Sequence, residues 1–325
     1  MWENLIDSLN VVLPMFLLMS FGYVLRIVKF LPESFYRDAE KFIFKIALPC
    51  QLFVNIAFAD KSGGGEMYLE TTLFCAIGTV AAFLLGLVFV PLMVKDNGLR
   101  GAIIQNTFRS NLVILGVPLI EHLAGAEGLV LFSVMIPSNI ILTNVFSVVE
   151  LNLFAPSDHK RSTKELLLTT TKSVLTNPLV IATLLAFPLL LINFELPESF
   201  GFFESTLSSV SNTTQALALI SLGAGFSFSS LRGKLKFSLA TALYKTVLLP
   251  ILAVVTAHYG FGFTGLPLSI VFIVFGTPAA VAGYVMAKNM KSDAECASQT
   301  LLISTLLCSF TLFAGFFILK TLGWI

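Results

Sequence analysis

The chain has 325 residues, of which 56% are hydrophobic and 12% are charged, and its mean hydropathy is +0.89. So little polar surface does not cover a soluble globule, and the composition indicates an integral membrane protein. The net charge is +1, and the basic residues are scattered through short connections. They form no basic stripe or tail of the kind that binds nucleic acid, so this class of partner is set aside. The four cysteines show no CxxC spacing, so no metal, disulfide framework or cofactor is expected.

Ten apolar runs reach the length of roughly 17–25 residues that a bilayer crossing requires. In chain order they are 8–28, 38–59, 69–94, 100–123, 128–152, 168–194, 203–230, 236–258, 264–289 and 294–320. The first run is preceded by Glu3 and Asp7 without a basic segment, so it is expected to stay in the membrane and not to be cleaved as a signal peptide. The expected fold is an all-α membrane protein with ten transmembrane helices.

Basic residues concentrate at the odd-numbered connections between these spans. They are Arg26, Lys29, Arg37, Lys41, Lys95, Arg100, His159, Lys160, Arg161, Lys164, Arg232, Lys234, Lys236, Lys288 and Lys291. The even-numbered connections hold mainly glutamates. By the positive-inside rule, both termini are expected outside and the loop at 154–166 in the cytoplasm.

Five spans precede this loop and five follow it, so the second set enters the membrane from the opposite face. The sequence therefore predicts an inverted repeat of residues 1–153 and 167–325. Two Gly-x-Pro tripeptides, Gly116-Val117-Pro118 and Gly276-Thr277-Pro278, lie in spans four and nine, 160 positions apart. Each is expected to break its helix, because proline removes a donor and glycine permits unusual angles. Paired broken helices typically mark the binding site of a transporter.

A half-helix that begins at Pro118 or Pro278 would present free amides and a positive dipole end to an anion. Thr277 at an N-cap position would satisfy one amide with its own hydroxyl, whereas Val117 has no such group. Pro118 is therefore the favoured anion end, with Gly116 and Gly276 as the other helix-breaking positions.

Arg109 precedes Pro118 by nine residues, and a guanidinium binds a carboxylate through two parallel hydrogen bonds. The alternative is that Arg109 reaches the headgroups or pairs within the protein. Asn111 and Asn139 are polar among apolar neighbours. They are predicted to line the same cavity or, alternatively, to form interhelical hydrogen bonds.

Ion coupling has two candidate locations. Glu121 lies three residues after Pro118 and would carry a proton if buried there, or line the outer rim if the break lies high in the membrane. Gln299, with Ser304 and Thr305, would supply oxygen ligands to sodium. Lys245 interrupts span eight and would balance a carboxylate or extend to the interface.

The stretch from Asn106 to Leu119, with Arg109-Ser-Asn111 followed by Gly116-Val-Pro118, resembles the fourth helix of the auxin efflux carrier family. Leu48-Pro49 resembles the second helix of that family, and Asn177-Pro178, residues 278–287 and residues 293–304 resemble its later half. The short central loop is similar to that of bacterial members and unlike that of the related plant PIN-type carriers.

This resemblance implies a secondary transporter in the plasma (inner) membrane, carrying a small organic anion such as malate, malonate or a related carboxylate. The implied fold is that of bile-acid and sodium/proton transporters, with broken helices four and nine crossing near the midplane. Spans 1, 2, 6 and 7 would form a scaffold, often dimeric, and spans 3–5 and 8–10 a moving transport domain, in an elevator-type or rocking carrier.

Other classes of function are weighed against a carrier. An intramembrane enzyme is disfavoured because the chain has no HExxH, GxSxG or Walker A sequence. An anion channel and a ligand receptor that does not transport stay as alternatives.

Overall fold

The computed structural model describes residues 2–58, 65–155, 175–192, 196–225 and 234–325, with a few single positions between 162 and 172 and Phe194. Within these ranges the backbone is helical, apart from connecting turns and one antiparallel bridge between Ser110 and Ala279. The predicted loop at 154–166 and the predicted span ends at 59 and 226–230 lie wholly or partly outside the described residues.

The helices of the first part begin with α1 and run to α6. They are α1 (Trp2–Ile27), α2 (Glu33–Phe42), α3 (Leu48–Ala57), α4 (Gly65–Met93), α5 (Asn97–Phe108) and α6 (Val117–Leu153). Two short π-helical turns connect α2 to α3 and lead into α6, at Ile43–Ala47 and Leu112–Gly116. Gly125, with φ of 55°, divides α6 close to the predicted boundary between spans four and five.

The helices of the second part are α7 to α14. They are α7 (Pro178–Leu191), α8 (Gly201–Ser211), α9 (Thr214–Ala224), α10 (Leu235–Leu243), α11 (Leu249–Val255), α12 (Gly265–Gly276), α13 (Val281–Asn289) and α14 (Ala294–Thr321). A π-helical turn at Tyr244–Leu248 joins α10 to α11, and a second at Thr256–Gly260 extends α11.

Three helices start at side-chain caps that the sequence supplies. The Asp96 carboxylate accepts a hydrogen bond from Leu99 N at 2.7 Å, which starts α5. Asn177 and Asp293 cap α7 and α14 in the same way. Each cap satisfies an amide that has no acceptor inside its helix.

Five helical stretches are long and apolar enough to cross a bilayer. They are Trp2–Ile27, Met67–Met93, Leu112–Leu153, Leu235–Gly260 and Ala294–Thr321, with shorter apolar helices at Pro178–Leu190 and Gly265–Gly276. The described chain is therefore all-helical with at least five membrane-capable helices. The full count of ten spans stays a prediction.

Helices α1 and α9 cross at glycines on both sides. A Cβ built on Gly223 would lie 1.8 Å from Met19 O, and one built on Gly22 would lie 2.0 Å from Ile220 O. Only glycine permits the two backbones to approach this closely, which is how helices commonly associate in membranes.

Candidate functional site

Two interrupted helices cross in the interior. Helix α5 ends at Phe108, and Arg109 to Asn111 continue as a non-helical strand-like segment. Helix α12 ends at Gly276, and residues 277–280 are likewise non-helical before α13 begins. These two segments, at 109–111 and 277–280, are called the crossing below.

The two segments run antiparallel and are hydrogen-bonded to each other. Asn111 N donates to Pro278 O at 2.8 Å, and Ala280 N donates to Arg109 O at 3.3 Å. Asn111 and Ala280 are 169 positions apart, and so are Arg109 and Pro278. The donor of one bond therefore corresponds to the donor of the other, and the acceptor to the acceptor. The crossing therefore has a local two-fold relation.

The predicted helix break at Gly116-Val117-Pro118 is wrong. Gly116 and Val117 have ordinary helical angles, and the helix runs through Pro118 without interruption. The break lies earlier, at Arg109–Asn111. Gly116 is instead a packing position, because a Cβ there would lie 2.7 Å from the ring of Phe132.

The local π-helical turn explains why Pro118 does not end the helix. In a regular α-helix the proline ring clashes with the carbonyl four residues earlier. A π turn is wider, and the turn at Leu112–Gly116 ends directly before Val117-Pro118. The same arrangement recurs where Pro49 and Pro250 follow the other two internal π turns, at Ile43–Ala47 and Tyr244–Leu248.

The second tripeptide does coincide with an interruption, but its residues take different places from those predicted. Thr277 follows the last helical residue of α12, with φ −66° and ψ 148°, and its N–H donates to Ile273 O. It therefore ends a helix, so the prediction that it is an N-cap is wrong. Pro278 lies within the crossing and does not start α13, which begins at Val281.

Lys245 extends into the crossing from the π turn between α10 and α11. Its Nζ donates to Ser110 Oγ at 2.7 Å and to Phe275 O at 2.8 Å, and Ser110 Oγ donates to Val274 O at 2.6 Å. These bonds satisfy carbonyls in the last turn of α12, where the helix leaves acceptors unpaired and its dipole is negative. Lys245 is fully buried, so the prediction that it extends to the interface is wrong, and its bonded acceptors are neutral.

The Arg109 side chain lies along α6. Its guanidinium donates to Asn144 Oδ1 at 2.8 Å, Ser147 Oγ at 3.0 Å and Thr143 O at 3.3 Å, and lies 3.3 Å from Met286 Sδ. Only 8% of the residue is exposed. In this conformation Arg109 takes the alternative role of pairing within the protein.

Asn111 and Asn139 are equally buried but differ in their bonds. The Asn139 side-chain amide donates to Thr79 Oγ1 at 3.0 Å, which links α6 to α4. The Asn111 Nδ2 is buried and has no hydrogen-bond partner among the described residues, and the same is true of Thr277 Oγ1. The crossing thus holds unsatisfied polar groups, and Asn139 contributes to helix packing.

Most of the predicted ion-coupling residues lie outside the crossing, but Ser304 Oγ accepts a hydrogen bond from Ala279 N at 3.2 Å. Glu121 is half-buried one turn beyond Pro118. Gln299 accepts from Ser238 Oγ and donates to Glu295 Oε1, both at 3.2 Å. Over the described ranges, His, Cys, Asp and Glu form no group of three that would hold a metal ion.

Glu150 is a buried acidic residue that the sequence reasoning missed. It is 0% exposed, and neither carboxyl oxygen has a hydrogen-bond partner in the described part of the chain. The available signal is a polar stripe along one face of α6, because Asn139, Thr143, Ser147 and Glu150 recur at spacings of four, four and three.

Two interrupted helices that cross inside an all-helical, apolar protein are typical of membrane transporters. A family model described as "Membrane transport protein" matches residues 7–314, so the chain belongs to this family, which includes the auxin efflux carriers. The resemblance noted from the sequence is thereby confirmed.

Two archaeal proteins are similar to the chain over nearly their full lengths. One is an uncharacterized transporter of Methanothermobacter thermautotrophicus, 23% identical over 306 residues, which cover 92% of this chain and 94% of that protein. The other is an uncharacterized transporter of Methanocaldococcus jannaschii, 23% identical over 303 residues, which cover 91% and 94% of the two chains.

Proposed function

We propose that the protein is a secondary transporter that binds a small organic anion, such as malate or malonate, at the crossing. The observation that carries this proposal is that two helix interruptions are hydrogen-bonded to each other inside an apolar protein. The bonds run from Asn111 N to Pro278 O and from Ala280 N to Arg109 O. Backbone that leaves its helix in a membrane protein is tolerated where it lines a cavity or is buried in protein.

The chemistry around the crossing favours a negative ligand. The half-helices that continue from Asn111 and Ala280 each begin with amides that have no acceptor within the helix, and these ends carry the positive part of the helix dipole. Asn111 Nδ2 adds a buried donor without a partner among the described residues. Arg109 and Lys245 are basic, and neither forms an ion pair within 4.0 Å over the described ranges.

The proposed architecture is the ten-span inverted repeat, with both termini outside the plasma membrane. The local two-fold at the crossing supports it, because an inverted repeat relates its two broken helices in this way. The close glycine crossing between α1 and α9, together with packing of α3 against α7, supports a scaffold built from spans 1, 2, 6 and 7. The remaining spans would move as the transport domain, and two scaffolds would form a homodimer.

Counterflow in proteoliposomes tests this proposal against its alternatives. Purified protein is reconstituted with unlabelled malonate or malate inside, and labelled carboxylate is added outside. We expect saturable exchange that depends on the internal anion. Ionic current without exchange would indicate a channel, and binding without flux would indicate a receptor. A panel of monocarboxylates, dicarboxylates and amino acids that gives no exchange would refute an organic-anion carrier.

A further inference from the structure

Glu150 lies against the first turns of α5. A Cβ built on Gly101 would lie 3.5 Å from Glu150 Oε2 and 2.9 Å from Ser292 Oγ, so the glycine leaves room for the carboxyl group. Ser292 Oγ itself donates to Gly98 O at 2.7 Å. The carboxyl group is therefore enclosed by packed backbone and side chains, with no hydrogen-bond donor directed at it from the described residues.

The other charged groups near Glu150 on the surrounding helices either have partners of their own or are exposed. Arg100 on α5 donates to Val94 O and Asn97 Oδ1, and its guanidinium also reaches Pro91 O. Asp293, before α14, pairs with Lys234. The exposed side chains of Lys288 and Lys291 lie at the end of α13 and in the following turn. Arg109 is the buried cation on the polar face of α6 that Glu150 shares, bonded to Ser147 one turn before it.

Arg109 does not neutralise Glu150 in this arrangement. Its donors are directed at Asn144, Thr143 and Ser147, and Ser147 precedes Glu150 by one turn, about 4.5 Å along the helix. An ionised carboxylate that is buried without donors or a paired cation is costly, so burial favours the protonated form. A proton on Glu150 in turn leaves the charge of Arg109 without a counter-charge close to the crossing.

We propose that Glu150 is a proton-binding site that couples transport to protons, with the proton and the anion binding cooperatively. This inference rests on the proposed function. The step is protonation of the carboxylate to the carboxylic acid when the site is open to one side, and loss of the same proton when it opens to the other. Because a bound proton removes the negative charge near Arg109, it strengthens anion binding at the crossing, and by linkage the anion strengthens proton binding.

The test uses full-length protein in proteoliposomes that contain a pH-sensitive dye, with the membrane potential clamped by potassium and valinomycin. The variants are Glu150→Gln, which keeps the shape but does not titrate, and Glu150→Asp, which titrates. Glu121→Gln is the matched control, because Glu121 is the carboxylate that the sequence suggested for coupling. Counterflow of malonate and accumulation driven by a pH gradient are measured for each.

For one coupled proton, a gradient of one pH unit drives about tenfold accumulation, since one unit corresponds to a factor of ten in the proton ratio. We expect wild-type protein and Glu121→Gln to show this accumulation together with acidification of the interior, reported by the enclosed dye. Glu150→Gln should lose both while retaining counterflow. Glu150→Asp should retain coupling with a shifted pH dependence.

Three results would overturn the inference. Normal gradient-driven accumulation by Glu150→Gln would show that Glu150 is a structural residue. If Glu150→Gln fails to insert into the membrane, an unchanged pH dependence of transport by Glu150→Asp would lead to the same conclusion. Wild-type protein that shows counterflow but no accumulation in a pH gradient would exclude proton coupling and leave the carrier intact. Absence of wild-type counterflow for every carboxylate tested would refute the proposed function itself.

Discussion

Replacing Asn111 with alanine should weaken anion binding without destabilising the protein. The Asn111 side-chain amide has no protein acceptor among the described residues, so its removal breaks no bond of the folded state that is seen there. A hydrogen bond to a charged carboxylate contributes about 1.5–3 kcal/mol. Its loss therefore corresponds to a rise of about 10- to 150-fold in Kd.

Asn139→Ala is the matched control, because both asparagines are 4% exposed. Asn139 donates to Thr79 Oγ1, so its replacement should lower the free energy of unfolding by about 1 kcal/mol, while Thr79 Oγ1 keeps its own hydrogen bond to Cys75 O. Its Kd for the anion should stay within about twofold of wild type, a change of under 0.5 kcal/mol.

Both properties are measurable on one preparation of each variant. Thermal unfolding in detergent reports stability, and the half-saturation of counterflow reports affinity. If Asn111→Ala binds the anion normally, the crossing does not use this side chain. Equal loss of affinity in both variants would instead show that the effect is not specific to the crossing.

Two further predictions concern stability. Gly223→Ala should destabilise the protein by about 1–3 kcal/mol through overpacking against Met19, whereas Gly201→Ala, with no atom within 4 Å of the added Cβ, should unfold like wild type. The hydrogen bond to Asp293 raises the pKa of Lys234 above its ordinary value of 10.5, so the pair stabilises the fold below that pH and loses its effect as the pH rises through the raised value. Lys234→Met should therefore lower the free energy of unfolding at pH 7 by at most about 1 kcal/mol and make no difference at strongly alkaline pH, as urea titrations at the two pH values would report.

Composition was sufficient to predict the class of fold, because an apolar chain with short polar connections has few alternatives to membrane helices. The second helix interruption was also predictable from the sequence, since Gly276 directly precedes it and Pro278 lies within it. The first helix interruption was predicted at Gly116–Pro118 but lies several residues earlier, at Arg109–Asn111. Pro118 follows a π turn that is wide enough for its ring, so the helix continues through it. No short sequence motif predicts such a turn.

The crossing itself was beyond sequence reasoning for a related reason. Its segments contain residues that are unremarkable in sequence, such as Ser110 and Ala279, which become partners only when two chain regions meet. Lys245 was recognised as an intramembrane charge, but its acceptors, Ser110 Oγ and Phe275 O, come from the two opposing broken helices. A single sequence does not specify such pairings.

Glu150 was overlooked because acidic residues at the end of a span are usually solvated by headgroups and water. Its burial follows from packing against Gly101, from another helix. Arg109 connects this carboxyl group to the crossing, since its backbone carbonyl accepts from Ala280 and its side chain lies along the polar face of α6. A change in the charge of Glu150 therefore acts on a residue that is already part of the crossing. This placement is the geometric basis of the proposed electrostatic coupling between a proton on Glu150 and an anion at the crossing.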